Sequence, residues 1–187
     1  MNVHQAIVER QTIHDYALDD VAEDALERAL LAALSAPNHH MTEPWRFTRV
    51  GRQTRGPLAD IAIELKASKA GGHLDPSTAD KARAKMLNPP VLLVVSQVRA
   101  GDPVTEREDY AAVACAIQNL SLSLFAEGIG SKWSTGGVTK DPRTYQLLSI
   151  KPELEEIVGF VWVGIAAKNC PKVPRRRSLS EVLRQLP

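Results

Sequence analysis

Two long apolar runs constrain the fold of this chain more than any other feature. VLLVVSQV occupies Val91–Val98, and EIVGFVWVGI occupies residues 156–165. A strand with one face in water alternates apolar and polar side chains, so nearly continuous runs predict strands that are buried on both faces. Helices packed on both sides of one sheet would bury them, which predicts an α+β or α/β domain of three layers.

The spacing of apolar residues elsewhere predicts helices. Residues 20–34 repeat apolar side chains every three or four positions, and Asp20 followed by Glu23 resembles a capping box. The longest predicted helix covers residues 105–127 and is apolar on nearly every side. We expect it to be the core helix, a dimer interface, or both. Cys115 lies within it and is expected to be a small buried side chain.

The remaining segments predict short elements. Residues 46–50 predict a strand, residues 51–55 a polar turn, and Pro57 the first turn of another helix. Residues 70–90 contain few large hydrophobic side chains and predict a surface excursion. Short helices are predicted at residues 3–10, 80–86 and 141–149, with a last helical turn capped by Ser178.

The composition excludes several classes of protein. The 187 residues carry a formal net charge of +1, so the overall charge favours neither nucleic acid nor a membrane surface. No apolar run approaches the roughly 20 residues of a membrane-spanning helix, and no signal peptide is recognisable. The two cysteines are far apart in the sequence, which suits a reducing compartment. We therefore expect one cytoplasmic domain over residues 1–187, ending in a basic tail at residues 168–187.

A polar loop between two prolines is the first candidate for a binding site. Residues 36–47 read APNHHMTEPWRF, and Pro37 and Pro44 keep the backbone between them out of a helix. A polar loop with restricted geometry suits a ligand. The alternative is a simple connection from helix to strand, with Trp45 in the core. A metal ion shared by the two adjacent histidines is not expected, since neighbouring side chains in extended backbone point apart.

Three further polar blocks each allow two interpretations. Arg10 is either a solvated charge at a helix end or an anion ligand. The glycines of residues 128–137, GIGSKWSTGG, either end a helix or leave room for a flat ligand against the backbone. The basic tail is either solvated or attracted to polyanions. Nucleophile-elbow, zinc-protease, paired CxxC, P-loop and Rossmann motifs are all absent from the sequence.

Taken in order, these blocks resemble the signatures of the nitroreductase superfamily of FMN-dependent oxidoreductases. The matching stretches are Arg10 with Thr12, the AP…PWRF loop, the GxGxxW block, and the VGF strand with its basic tail. The loop resembles most closely the small, histidine-containing subgroup. The resemblance implies an α+β nitroreductase-like fold, in which a mostly antiparallel sheet of four or five strands is flanked by helices. It also implies an intertwined homodimer, with FMN sites that both subunits line.

The resemblance also assigns the cofactor-binding residues. Arg10 and Thr12 would bind the FMN phosphate and ribityl chain, and residues of the basic tail would clamp the phosphate. The block after the long helix would lie over the isoalloxazine ring. Residues of the proline loop would reach the FMN that is held mainly by the partner subunit. The assigned residues are Arg10, Gln11, Thr12, Ser35, His39, Trp133, Ser134, Thr135, Gly136, Lys172 and Arg175.

Three positions depart from the family pattern. Gln11 replaces a common Arg or His, and Glu43 replaces a common Gln before the Pro-Trp pair. His14 stands where the family often has a Lys or Arg, whose positive charge lies near the pyrimidine edge of the flavin. In this chain Arg10, His14 or Arg46 could supply that charge.

The implied activity is that of an FMN-dependent oxidoreductase that uses NADH or NADPH. In a ping-pong cycle, NAD(P)H would give a hydride to N5 of FMN, and a nitro compound, quinone or other electron-poor small molecule would then take the electrons. The resemblance implies no catalytic side chain and no metal ion. Two alternatives stay open: another flavin chemistry on the same fold, such as dehalogenation or heterocycle oxidation, or a non-enzymatic dimeric binding protein.

Overall fold

A four-stranded antiparallel sheet forms the centre of the molecule. The computed structural model describes residues 1–168 and 177–186. The strands are β1 (Trp45–Arg49), β2 (Val91–Val98), β3 (Gly130–Ser134) and β4 (Glu155–Gly164), and they lie in the order β1-β2-β4-β3. The two apolar runs are therefore the two central strands, and the prediction that both of their faces are buried is confirmed.

Helices cover both faces of the sheet, as the buried strands require. The described residues form seven α-helices: α1 (Val3–Glu9), α2 (Glu23–Leu34), α3 (Arg52–Lys69), α4 (Pro76–Leu87), α5 (Pro103–Ala126), α6 (Gly137–Lys140) and α7 (Pro142–Leu148). Val161 and Val163 of β4 pack against α2 and α5. Phe160 and Trp162, which point to the opposite face, pack against α3, α4 and α7.

The beginnings of two helices differ from the prediction. α2 begins at Glu23 after an uncapped Ala22, so Asp20 does not cap it. Val21 is buried in the core just before the helix, and Ala22 has a non-helical ψ of 130°. α3 begins at Arg52, so the predicted polar turn at residues 51–55 was wrong, and Pro57 lies inside the helix rather than in its first turn.

Arg55 explains why α3 starts early. Its guanidinium is buried and donates to the backbone carbonyls of Val50, Pro89 and Pro90. Burial lowers the pKa of this guanidinium, and the three carbonyl oxygens satisfy its donors without a carboxylate. Arg55 therefore ties the first turn of α3 to the end of β1 and to the start of β2.

The segment at residues 70–90 is more ordered than a surface excursion. Asp75 caps α4 by accepting from the backbone N–H of Thr78, and the helix is longer than the predicted residues 80–86. Ala82 and Met86 are buried beneath it. The sequence pattern did not indicate this packing, because the segment has few large hydrophobic residues. One buried methionine and one buried alanine are enough to pack a short helix against the core.

The long helix α5 is exposed along part of its length. Cys115 lies on that exposed side, so the expectation that it is buried within the subunit was wrong. Near the other end of the chain, Ser178 and Glu181 form a capping box on a single 3₁₀ turn, which confirms the predicted cap. Within the described residues, no helix is long and apolar enough to cross a membrane.

Residues 10–17, here called the N-terminal strap, run along the open edge of β3 and across the end of β4. Thr12 pairs in parallel with Ser131, and the backbone N–H of Ile13 donates to the carbonyl of Ser131 at 3.1 Å. Further along, Tyr16 pairs with Ala166. The strap covers the edge strand and fixes the path of the chain after α1.

Candidate active site

The strap and β3 bring two of the four sequence blocks together. Arg10 ends α1 as its C-cap residue, and Thr12 pairs with Ser131 of β3. The strand then continues to Ser134, and Thr135 and Gly136 follow it directly. The residues expected to bind the phosphate and those expected to lie against the ring therefore share one edge of the sheet. Gln11, between Arg10 and Thr12, is half-buried in the strap.

The glycine-rich block is largely a strand, not the loop that was expected. Gly128 does end α5, with a left-handed φ of +79°, but residues 130–134 then pair with β4. Gly130 faces the strap, where an added Cβ would lie 2.5 Å from a side-chain carbon of Ile13. Glycine at this position lets the strap approach the strand, a packing reason that the spacing of the motif does not reveal.

Trp133 lies across β4 at a second glycine. A Cβ on Gly159 would lie only 2.3 Å from Nε1 of the Trp133 indole. The tryptophan remains 37% exposed, so one face is open to a ligand. Beyond Ser134 and Thr135, Gly136 has a φ of +150°, which a residue with a Cβ rarely adopts. The backbone therefore turns sharply at the point where the flat ligand is expected.

A cavity of about 510 Å³ opens beside the strap. His14 and Asp15 of the strap line it together with Lys81 and Lys85 of α4. Within the described chain, the ammonium group of neither lysine forms an ion pair or hydrogen bond. Positive charge thus exceeds negative charge in this cavity, which suits an anionic or electron-rich ligand.

Lys132 of β3 adds to this positive charge. Burial and the charge of Lys85 together lower its pKa from the ordinary lysine value, burial being the larger cause. Lys132 shares a face of the sheet with Trp162, its partner across the strands, and both lie on the side covered by α4. A half-buried lysine beside a second lysine, with no carboxylate bonded to either in the described residues, is unfavourable unless a ligand compensates.

Sequence reasoning missed both of these lysines. Lys85 lies in a segment that was predicted only as a surface excursion, and its neighbour Arg83 does pair with Asp60 at the surface. Lys132 was not considered, although a charged residue beside a tryptophan in a short strand was a usable signal. Ser131 was also missed: its hydroxyl is buried, without a hydrogen-bond partner among the described residues, and lies beside Thr12.

The proline loop folds as a compact turn. His39–Met41 forms one 3₁₀ turn, and the rings of His39 and His40 stack with centroids 3.8 Å apart. The expectation that these histidines point apart was wrong, because His40 has a left-handed φ of +54° rather than extended backbone. Trp45 is buried in the core, as the alternative interpretation of the loop proposed.

Polar contacts hold the loop to α5 and to β1. Nδ1 of His39 lies 2.8 Å from a carboxylate oxygen of Glu108, and the hydroxyl of Thr42 donates to Asp109 at 2.6 Å. Arg46 donates to the backbone carbonyls of Glu43 and Trp45. Arg46 is therefore engaged with the loop through these two hydrogen bonds.

Ser35 lies at another part of the surface. It ends α2, donates to the carbonyl of Leu31, and lines a groove of about 390 Å³ between α1, α2 and α5. Within the described residues, neither Ser35 nor His39 bonds to the strap or to β3. A single chain therefore does not join these two residues to Arg10 and Thr12 by direct contacts.

Several expected or possible site features lie elsewhere. Lys172 and Arg175 are outside the described residues. A larger cavity of about 660 Å³, at α7, is lined by Tyr145 and Ile150 and contains none of the expected site residues. Among the residues that the structure describes, no group of three or more His, Cys, Asp or Glu side chains could hold a metal ion.

Comparison with known sequences identifies the family. A sequence model described as the Nitroreductase family matches residues 7–165. YdjA of Escherichia coli strain K12, which has the provisional name NAD(P)H nitroreductase, is 26% identical over 165 residues, 88% of each chain. YfhC of Bacillus subtilis strain 168, named in the same way, is 28% identical over 180 residues, which are 92% of this chain and 88% of its own.

Solved structures share the fold along the whole chain. The nitroreductase-like family protein of Bacillus cereus has a TM-score of 0.83 at 24% identity, covering 100% of this chain and 96% of its own. A mutant of the FMN- and NADPH-dependent nitroreductase NfnB, from a Sphigopyxis strain, has a TM-score of 0.81 at 17% identity, covering 99% of both chains. The chain therefore belongs to the Nitroreductase family, which confirms the resemblance drawn from the sequence blocks, the α+β nitroreductase-like fold and the assignment to an oxidoreductase.

Proposed function

We propose that this protein is an FMN-dependent oxidoreductase that takes electrons from NADH or NADPH and passes them to an electron-poor small molecule. The observation that carries the proposal is the strap paired to β3, beside a cavity with excess positive charge. When bound, FMN would supply the redox chemistry, accepting a hydride and releasing electrons in alternation, as a ping-pong cycle requires. Nitro compounds and quinones are the proposed acceptors.

The residues present fit FMN in two respects. The buried hydroxyl of Ser131, beside Thr12, lacks a hydrogen-bond partner among the residues that the structure describes, and a polar ligand there would satisfy it. The guanidinium of Arg10, which has no hydrogen bond within the described chain, would bind the phosphate with Thr12 and with Lys172 and Arg175 of the tail. Charge-assisted hydrogen bonds of this kind are the strong ones in anion binding.

The other end of the site would hold the ring. Trp133 offers one open face, and the turn through Ser134, Thr135 and Gly136 brings backbone close to the proposed ring position. Lys85 and Lys132 would place positive charge near its pyrimidine edge, where His14 departs from the family pattern. Positive charge at that edge favours the anionic reduced cofactor, whose negative charge would in turn offset the repulsion between the two lysines.

We further propose that the protein works as a homodimer in which the surface of α1, α2 and α5 is the interface. Large apolar side chains are exposed there, including Val3 and Ile7 of α1 and Leu31 and Leu34 of α2. Exposed apolar patches of this kind mark interaction sites. In such a dimer, Ser35 and His39 of one subunit would reach the FMN held by the partner, which a single chain does not achieve.

A spectroscopic titration tests the proposed function. FMN is added to the wild-type protein and to Arg10→Ala and Arg52→Ala, and NADH or NADPH is then added without oxygen. We expect Arg10→Ala to weaken FMN binding by about 10-fold or more, since a charge-assisted hydrogen bond contributes about 1.5–3 kcal/mol. Arg52, exposed at the start of α3, is the matched control and should leave the affinity unchanged.

The outcomes separate the alternatives. Flavin bands that bleach on addition of NAD(P)H support the reductase. Bound flavin that stays oxidised would favour another chemistry on the same fold. Equal FMN affinities for the two arginine variants would contradict the site, and a wild-type protein that binds no FMN would contradict the function.

A further inference from the structure

The turn that carries His39 is strained. Three residues without glycine's freedom have left-handed backbone within four positions: His40 at φ +54°, Met41 at +55° and Glu43 at +45°. Each residue held in this region carries a steric cost, because its Cβ crowds the backbone. Such a conformation persists only where surrounding contacts impose it.

Two hydrogen bonds close the turn on itself and on the neighbouring strand. The backbone N–H of Glu43 donates to the side-chain oxygen of Asn38 at 3.1 Å. Arg46 of β1 donates to the carbonyl of Glu43, also at 3.1 Å. These bonds close the turn, yet neither one determines where the imidazole of His39 points.

Two acidic residues of α5 bind side chains of the turn. The hydroxyl of Thr42 donates to Asp109, a carboxylate that is only 3% exposed on a helix of the core. One position earlier on the same helix, Glu108 accepts the contact with Nδ1 of His39. Because α5 packs along the sheet, it provides a rigid support for the histidine.

The Glu108 contact determines which ring nitrogen of His39 carries a proton. An ionised carboxylate has no proton to donate, so the Nδ1 nitrogen at 2.8 Å must donate N–H to it. In a neutral imidazole the other nitrogen, Nε2, is then an acceptor. The side chain of His39 is 61% exposed, so a ligand or a partner subunit can approach it.

We propose that Glu108 is a positioning residue that fixes His39 as the Nδ1–H tautomer and presents Nε2 as a hydrogen-bond acceptor to FMN on the partner subunit. The donors of FMN that could meet it are a ribityl hydroxyl and the ring N–H. This proposal rests on the proposed function, because it needs FMN at the dimer interface. Its first part, the tautomer, can be tested without the cofactor.

Nitrogen-15 NMR of the imidazoles measures the tautomer directly. The chain has five histidines, and a His39→Gln variant identifies the signals of His39. At a pH well above the ordinary histidine range, we expect a protonated Nδ1 and an unprotonated Nε2 in the wild type. Glu108→Ala should shift the proton to Nε2, the form that free histidine prefers. Glu108→Gln, whose amide oxygen can still accept, should keep the wild-type pattern.

FMN affinity tests the second part in the same variants. We expect Glu108→Ala to weaken FMN binding about threefold to tenfold, the effect of one misdirected hydrogen bond, and Glu108→Gln to stay within about twofold. Glu153→Ala is the matched control, since Glu153 is exposed and bonds to nothing within the described chain. It should change neither the tautomer nor the affinity.

The results distinguish this proposal from the proposed function. An unchanged His39 tautomer in Glu108→Ala, or an affinity equal to that of the wild type, overturns the role of Glu108. A wild-type protein that binds no FMN overturns the proposed function and the cofactor contact of His39 together, while the NMR result still decides whether Glu108 orients the ring.

Discussion

Lys132 shows how one side chain can connect stability with function. It lies on β3 with its charge half-buried and repelled by Lys85. The lowered pKa means that the folded protein binds this proton less tightly than the unfolded chain does. In the absence of a ligand, the charge of Lys132 therefore opposes folding over the pH range in which the folded protein still carries it.

We predict that Lys132→Met stabilises the protein without FMN but impairs its redox tuning. The melting temperature at pH 7 should rise by a few degrees. This gain in melting temperature should shrink as the pH approaches the ordinary lysine pKa. The wild-type Lys132 then loses its proton, and its charge no longer destabilises the folded state. With FMN bound, the reduction potential should fall by about 20–50 mV, the effect of one charge removed at moderate distance.

Lys151→Met is the control for this prediction. Lys151 is exposed near α7, away from β3, and should alter neither the melting temperature nor the potential. Differential scanning calorimetry at two pH values and spectroelectrochemistry measure the two effects. A potential that is the same in Lys132→Met and in the wild type would show that Lys132 does not act on the flavin.

The predictability of single residues depended on whether their neighbours in sequence were also their neighbours in space. Arg10 and Thr12 belong to one short motif, which the structure places beside β3, and their role in binding the cofactor stays a prediction. Glu108 lies 69 positions from His39, so nothing local indicated the contact. A stacked pair of histidines was likewise hidden, since it follows from left-handed backbone that the residue types do not require.

The packing of β3 on β4 relies on a glycine in the middle of a strand. Gly159 leaves the space that the indole of Trp133 fills, and the carbonyl of Ser134 lies close by as well. Glycine inside a strand ordinarily weakens it, so its presence indicates a close approach by another group. Here that group carries the proposed ring-binding surface.

We predict that Gly159→Ala destabilises the protein by about 1–3 kcal/mol, because the added methyl group overlaps the indole. Trp133 would have to move, so its fluorescence and the affinity for FMN should change as well.

Gly56→Ala is the matched control, and its expected effect on the free energy of unfolding has the opposite sign. An added Cβ at Gly56, inside α3, meets nothing within 4 Å, and should stabilise the helix by about 0.5–1 kcal/mol. Urea denaturation measures the free energy of unfolding of both variants. Equal values for Gly159→Ala and Gly56→Ala would contradict the packing role of Gly159.

Elements with a strong periodic or continuous signal were predicted well, and those fixed by distant contacts were not. The boundaries of β2 were predicted residue for residue, since few alternatives exist for a continuous apolar run. The start of α3 was missed because it depends on carbonyl groups of Pro89 and Pro90 that accept from Arg55. The strand β3 was missed because the glycine at its start, Gly130, was read as part of a loop. Glycine is needed there because Ile13 of the strap, far away in the sequence, packs against it.

The complete site needs two copies of the chain if Ser35 and His39 act as proposed. The fold and family follow from the sequence, because the four blocks keep their order over almost the whole chain. The association of subunits does not follow from composition. It is indicated only by the apolar surface that α1, α2 and α5 leave exposed.

We predict that Leu31→Glu converts the proposed dimer into a monomer. The leucine is 57% exposed on α2, so the substitution costs the folded subunit little but places a charge in the proposed interface. Leu154→Glu is a matched control, because Leu154 is also 57% exposed but lies in the turn before β4. Light scattering after size exclusion should give 20.5 kDa for Leu31→Glu and twice that mass for the control. Loss of FMN binding should accompany dissociation, and a dimeric Leu31→Glu would contradict the interface.

The strap also determines when the site can form during protein synthesis. The hydroxyl of Tyr16 donates to the carbonyl of Trp162 across a sequence separation of 146 residues. Residues 12–17 leave the ribosome well before their partners on β3 and β4, which lie more than 100 positions later in the chain. A nascent chain that ends before β3 has all of the strap and neither strand to hold it, so FMN capture by this half of the site awaits the synthesis of β3 and β4.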